Sequence, residues 1–391
     1  MSLKSFLKKS RIVIALKGIY QTVSIQAKLA YYRLFAPEID DFALAAEKLQ
    51  QRGVNWLPGK PIKVFAVFSI NNWEISLVKA LETIGPVTHF NWPPIYDFFD
   101  RKSEWIKHRD KLNIAMLDSF EAMYEPDVNT LVFLYTSDFI ITSETLALLK
   151  RSNVIVVNFC WDDLLYFKAE VRGQAVGVDQ VSRKVDWNLT LSPEAISRYH
   201  FHKSACFFWE AIPSKKVESN SIPLLPVNNN DTEFYVLFIG SRYGWRGDFI
   251  DKLRLRGVNV KCFGYGWENG SIETERMEAE IRSAPLTLGF ANVGYTKNVT
   301  TIKGRDFEVP ALGGLYLTQY AEGLEKYYAS GKEILTYRSF DTCYQMICLV
   351  QNDKMFADTV RNAGYQKAIH YCSWDARMQY LYALINKITN V

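Results

Sequence analysis

The chain enters an alternation of apolar strand-like runs and helical stretches twice, and a stretch that suits neither separates the two series. From Pro61 the runs are "IKVFAVFSI", "VTHF", "TLVFLYTS", "VIVVNFCW" and "WNLTLS". After "IPSKKVESNSIPLLPVNNNDTE", rich in Pro, Ser and Asn and without periodicity, the second series reads "FYVLFIGS", "VNVKCFG", "LTLGFAN", "GLYLTQ" and "EILTY". Near-continuous apolar strands that alternate with helices describe a parallel sheet covered on both faces. The expected fold class is therefore α/β, with two Rossmann-like doubly wound domains and a ligand site at the carboxyl ends of their strands, facing across a cleft. A length of 391 residues suits two such domains.

The boundaries follow from these shifts of texture. Residues 1–40 form a basic amphipathic N-terminal segment, 41–215 the first Rossmann-like domain and 216–232 the linker. Residues 233–372 form the second domain, and 373–391 a C-terminal helix. With 48% apolar and 23% charged residues, the composition excludes a disordered or fibrous chain.

The formal charge of +4 is unevenly placed. Residues 1–35 hold seven basic side chains (Lys4, Lys8, Lys9, Arg11, Lys17, Lys28 and Arg33) and no acidic one, so the rest of the chain stands at −3. A mildly acidic body argues against a nucleic-acid partner. In the same segment Ile12, Leu16, Ile19, Val23, Ala27, Ala30 and Leu34 fall on one helical stripe. A basic helix with an apolar stripe suits an anionic membrane surface, and it equally suits packing on its own domain or on a partner. The apolar run before Lys17 is too short for a signal peptide or a spanning helix, which places the protein in the cytoplasm or on the cytoplasmic face of the inner membrane. The six cysteines show no Cys-x-x-Cys pair or ligand spacing, so free thiols are expected and no structural metal.

Three constellations carry chemistry. In "FIGSRYGWRGDFIDKL" a strand runs into a turn containing Gly240, Gly244 and Gly247 and then into a helix, where backbone amides favour an anion. Arg242 and Arg246 add two cations suited to a diphosphate. The spacing fits neither the dinucleotide fingerprint nor the P-loop. In "TTIKGRDFEVPALGGLYLT", Lys303, Arg305 and Glu308 stand at the start of a short helix that ends at Gly313-Gly314; the cations suit phosphate oxygens and the acid a ribose diol. In "VNFCWDDLLYF", Trp161, Asp162 and Asp163 end a buried strand. Only one of two adjacent carboxylates readily faces a ligand, Asp162 in preference to Asp163, and capping of the following helix is the other use of the pair. Asn72 and Trp73 follow the first strand, where an amide and an aromatic face can meet a sugar. His200 and His202 read as a surface turn, and several tryptophans, among them Trp161, Trp245 and Trp267, flank these loops.

The strings "IKGRDFEVPALGGLYLT", "LEKYYASGKEILTY" and "HYCSWDARMQYL" together resemble the C-terminal half of the spore-maturation-protein (CgeB-like) glycosyltransferase family. That family has an Arg-x-Phe-Glu-x-Pro-x-x-Gly-Gly core, a Gly-x-Glu-Ile/Leu strand and a late aromatic-x-x-Arg; the likeness covers about residues 150–385. The resemblance implies the GT-B fold and kinship with retaining group 1 glycosyltransferases. It also implies a nucleotide-sugar donor on the second domain and an acceptor on the first, with no resident cofactor or metal. On this reading Gly240, Arg242, Arg246, Lys303, Arg305, Glu308, Gly313 and Gly314 bind the donor, with Glu308 on the ribose. Asp162 and Asp163 serve acceptor contact or proton abstraction, and Asn72, Trp73 and Trp161 bind the acceptor. Thr300 stands where the class has its first signature Glu, eight residues before Glu308. The expected product is a glycan or glycolipid of a bacterial surface polysaccharide, such as lipopolysaccharide or capsule. A sugar-nucleotide epimerase and a non-catalytic nucleotide-sugar-binding scaffold are the alternatives.

Overall fold

The computed structural model describes residues 11–57, 59–70, 74–92, 105–171, 173–212 and 233–390. They group into two units, one of residues 28–212 with 374–390 and the other of 11–27 with 233–373.

The first unit is built on a six-stranded sheet. Its strands are β1 (Ile62–Val67), β2 (Val87–Phe90), β3 (Asn129–Leu134), β4 (Val154–Cys160), β7 (Trp187–Thr190) and β8 (Cys206–Phe208), with a two-stranded ribbon of β5 (Glu170–Val171) and β6 (Gln174–Ala175) outside it. The order is β2-β1-β3-β4-β7-β8 and every pairing within the sheet is parallel. All residues of β3 and β4 are buried, as strands covered on both faces must be. Helices connect and cover the strands: α1 (Arg11–Phe35), α2 (Asp41–Gln51), α3 (Glu74–Leu81), α4 (Trp105–Met123), α5 (Ser143–Leu148), α6 (Asp163–Tyr166), α7 (Val178–Ser182) and α8 (Ile196–Phe201). Asp40 starts α2 by accepting from the amides of Phe42 and Ala43 at 3.0 and 3.1 Å.

The second unit carries a five-stranded parallel sheet of β9 (Val236–Ile239), β10 (Val260–Phe263), β11 (Leu286–Leu288), β12 (Tyr316–Gln319) and β13 (Leu335–Tyr337), in the order β10-β9-β11-β12-β13. Its helices are α9 (Arg246–Leu255), α10 (Thr274–Ser283), α11 (Arg305–Ala311), α12 (Phe340–Asn352) and α13 (Lys354–Tyr371). Ser339 and Thr342 close a capping box on α12. The core gathers apolar residues of these strands with Trp245, Ile250, Trp267 and Ile347.

The last helix, α14 (Trp374–Thr389), belongs to the first unit and packs on α2 and α3. The Ile212 amide donates to Ala376 O at 2.9 Å, and Trp209 Nε1 donates to Arg377 O at 3.2 Å.

The basic segment is not a unit of its own: α1 groups with the second unit as far as Ala27 and with the first from Lys28. Its buried positions are Gly18, Ile25, Leu29 and Tyr32, a different stripe from the one the periodicity singles out. Ile12, Leu16, Ile19, Val23 and Leu34 are each at least 60% exposed. The helix is apolar on two sides, and the body covers one of them. The linker at 216–232 lies outside the described residues.

Candidate functional site

In the second sheet the chain goes from β9 to β10 on one side and later to β11 on the other, so the topology reverses between β9 and β11. Such a switch point opens a crevice at the carboxyl ends of the strands, because the two flanking connections leave in opposite directions. A pocket of about 230 Å³ lies there, floored by Phe238, Gly240, Gly289 and Tyr316. Three cations from two segments line it: Arg246 at the start of α9, and Lys303 and Arg305 at the entry to α11.

Arg246 and Arg305 are held through their side chains, and Lys303 through its backbone. Arg246 Nε donates to Asn292 Oδ1 at 3.1 Å, and its guanidinium lies over the rings of Tyr243 and Phe290 at 4.2 and 5.5 Å. Arg305 Nη1 pairs with Glu308 Oε2 at 3.1 Å, one helical turn on. The Lys303 amide donates to Asp306 Oδ2 at 2.6 Å, which fixes the loop ahead of α11. Asp306 is buried, and burial pushes its carboxyl up to about 6.

Glycines shape the space. A Cβ on Gly289 would fall 2.1 Å from Tyr316 Oη, so only glycine lets β11 pass the buried phenol. Gly313, at φ 82°, turns the chain out of α11. A Cβ on Gly314 would lie 2.7 Å from Ile281 Cγ2 and 2.8 Å from Val309 Cγ1, both in the pocket wall. The glycine pair thus seats the pocket wall.

Arg242 differs from expectation. Its guanidinium pairs with Asp251 at 2.8 Å and lies over Trp267 at 4.8 Å. Glu308 stands behind Arg305 and is not part of the wall. Asn292 and Asp306, which orient Arg246 and Lys303, are residues that the sequence reading missed. Asn292 carries a signal, a polar residue that interrupts the apolar run "LTLGFANVGY", whereas Asp306, in the charged string "KGRDFE", carries none.

The first unit carries acids at the corresponding end of its sheet. Asp162 follows β4 and is half-buried, and its side chain caps no helix amide. Burial first, and then the Asp162 carboxylate, push the neighbouring Tyr135 phenol well up; buried Glu74 adds to the effect. Asp163 is fully buried. It accepts from Thr190 Oγ1 at 2.6 Å and Tyr199 OH at 3.1 Å, while Arg198 Nη1 donates to the carbonyls of Asp163 and Leu164. Desolvation pushes the Asp163 carboxyl up to about 7. A group sealed in this way ties α6, β7 and α8 together and cannot touch a substrate, which corrects its expected catalytic role.

Trp161 is corrected likewise: it is 4% exposed and packs edge-on against Phe159 and Trp374 at 5.5 and 6.0 Å. Trp245 and Trp267 are buried in the core of the second unit, so neither offers a face to a sugar. Asn72 and Trp73 lie outside the described residues. His200 Nε2 meets Asp41 at 3.0 Å, an ion-pair geometry that joins α8 to α2. Among the described residues no three His, Cys, Asp or Glu side chains gather as a metal cage, and all six cysteines are unpaired. Among them, too, no helix is long and apolar enough to cross a membrane.

Residues 246–383 match the model of the family described as glycosyl transferase-like. No curated protein matches the chain by sequence. Among solved structures, sucrose-phosphate synthase from Thermosynechococcus elongatus is similar at a TM-score of 0.54 and 14% identity, over 84% of this chain and 99% of that one. The catalytic domain of starch synthase IV from Arabidopsis thaliana, bound to ADP and acarbose, is similar at 0.54 and 11% identity, over 85% and 100%. A glycosyltransferase from Rickettsia africae is similar at 0.54 and 9% identity, over 85% and 100%. The two parallel α/β units are those of the GT-B fold. The matched stretch begins at Arg246 and includes Asn292, Lys303, Arg305 and Asp306, and therefore the three cations of the pocket and two residues that orient them.

Proposed function

We propose that the protein is a GT-B glycosyltransferase that moves a sugar from a nucleotide-sugar donor to a glycan or glycolipid acceptor in surface-polysaccharide assembly. The observation that carries this reading is the switch-point pocket with Arg246, Lys303 and Arg305 around it. Preplaced cations stabilise the charge that develops on a leaving nucleoside diphosphate, and they need no reorganisation as it forms. The starch synthase of the same fold holds ADP, a nucleoside diphosphate. The string from Arg305 to Gly314 supports kinship with the spore-maturation-protein family in particular.

In this reading Arg246, Lys303 and Arg305 bind the diphosphate. Glu308 holds Arg305 in register and remains the candidate for the ribose. Asp162 serves the acceptor, as the reachable carboxylate of its pair. No metal or cofactor is assigned. Calorimetric titration with UDP, GDP, ADP and CMP, followed by assay of nucleotide release from their sugars with and without a glycan acceptor, tests the reading. Acceptor-dependent release supports a transferase. Turnover of the donor alone points to the epimerase, and binding without turnover to the scaffold. Failure of every nucleotide to bind, or binding indifferent to Arg305→Ala, overturns the proposal.

Helix α1 completes the picture with an attachment surface. Its exposed stripe of Ile12, Leu16, Ile19, Val23 and Leu34 lies in a segment with seven basic residues and no acid, a pairing that suits an anionic lipid surface. At about 1 kcal/mol per basic residue near such a surface, reversible binding follows. Flotation with vesicles of anionic phosphatidylglycerol against zwitterionic phosphatidylcholine checks it. Leu16→Asp with Ile19→Asp should abolish flotation with the anionic vesicles, and flotation unchanged by that pair would remove the membrane from the account.

A further inference from the structure

A second pocket in the same unit is independent of the donor reading. It measures about 280 Å³ and lies between α9, the loop at Lys297 and the ends of β12 and β13. Phe249 in its wall packs on Phe290 of the donor pocket at 5.3 Å, and Tyr337 OH donates to Gly289 O at 2.8 Å. The two cavities are therefore back to back, separated by one layer of side chains.

The lining combines features that a structural gap does not need. Lys252, Lys297 and Arg338 contribute three exposed cations, against the single acid Asp248. Lys252 Nζ sits 3.9 Å from the centre of the Phe340 ring, and Arg338 lies over Tyr320 at 3.5 Å, so two of the three are preplaced on aromatic faces. Gln319 is the decisive residue. It is only 6% exposed, and its amide nitrogen donates to Lys297 O at 2.6 Å. That bond fixes which way the amide faces and leaves Oε1 buried with no hydrogen-bond partner among the described residues. A buried acceptor without a donor is destabilising. A ligand hydroxyl in the pocket removes that cost.

We propose that this pocket is a second ligand site, for a small anionic polyol of the phosphorylated-monosaccharide class. The phosphate meets Lys252, Lys297 and Arg338 at the rim, and a sugar hydroxyl donates to Gln319 Oε1 at the base. The CH face of the ring lies on Phe340 and Phe249.

Calorimetry on the full chain with glucose 6-phosphate, inorganic phosphate and glucose as probes tests the proposal. Glucose 6-phosphate should bind saturably and at least about tenfold more tightly than either of the other two. Lys297→Ala with Arg338→Ala, both exposed side chains, should weaken it by about tenfold or more while the affinity for UDP stays unchanged. Three results overturn it: no saturable binding, inorganic phosphate binding as tightly as the sugar phosphate, or displacement of the sugar phosphate by UDP, which would place it in the donor pocket. Because UDP binding is read separately, failure of this proposal leaves the glycosyltransferase reading standing, and failure of that reading leaves this one standing.

Discussion

The two sheets end in opposite chemistry. At the carboxyl end of the second sheet, three cations line an open pocket, with Arg246 held by Asn292 and Arg305 by Glu308. At the carboxyl end of the first, Asp162 is half-buried and Asp163 is sealed among Thr190, Tyr199 and Arg198. One motif repeated in one chain has become an anion receptor in one unit and an acidic end in the other. The difference teaches that a charged residue at a strand end is a functional candidate only once its burial is known. Arg246 and Arg242 make the same point within a single loop, because Arg242 is spent on Asp251 and Trp267.

Breaking the acidic side should have the largest effect. Asp162→Asn should lower turnover by roughly 10²–10⁴-fold with nucleotide affinity retained, as loss of a proton acceptor does; full activity would remove Asp162 from the chemistry. On the basic side, Arg246→Ala with Arg305→Ala should weaken UDP by about 100-fold or more, since each charge-assisted bond is worth roughly 1.5–3 kcal/mol. Glu308→Ala should weaken UDP by a smaller factor through the loss of its hold on Arg305, and unchanged affinity in calorimetry would remove Glu308 from the site.

Next comes the wall. Gly314→Ala drives a methyl into Ile281 and Val309 and should cost about 1–3 kcal/mol in urea unfolding, with weaker UDP binding alongside. The finest test concerns the sealed acid. Asp163 holds its proton to about pH 7 when folded, against an ordinary value of 3.8. Its share of stability is therefore complete at low pH and is lost as pH rises from about 4 to 7. Asp163→Asn stays neutral, so its urea midpoint should fall less than that of the unmodified protein between pH 4 and pH 8. Equal falls would assign the loss to other groups.

The strands were legible because a strand buried on both faces reads as a continuous apolar run, and all ten runs named from the sequence overlap strands of the two sheets. Arg246, Lys303 and Arg305 were legible for a related reason: each stands near the end of a readable element at the switch point. The sequence does not carry which neighbour claims a side chain. Asp251 lies nine residues from Arg242, and Asn292 lies 46 from Arg246, so both pairings are products of the tertiary fold. The orientation of α1 was hidden differently. Its apolar residues occur on two sides, and hydrophobic periodicity cannot say which side the body takes.

The return of α14 to the first unit reorders the birth of the molecule. Leu381, Leu384 and Ile385 of that helix are buried, and Trp209 and Ile212 bond to its backbone. A ribosome delivers residues 28–212 first, yet the unit they form lacks its closing helix until 374–390 have emerged. Apart from 11–27, the second unit lies wholly between these pieces and is completed sooner. The part encoded early thus waits, incomplete, for a part encoded later. A nascent chain ending at Ser373 and extended by an unstructured linker long enough to clear the ribosomal tunnel should therefore resist protease across 233–373 and remain open to cleavage across 28–212.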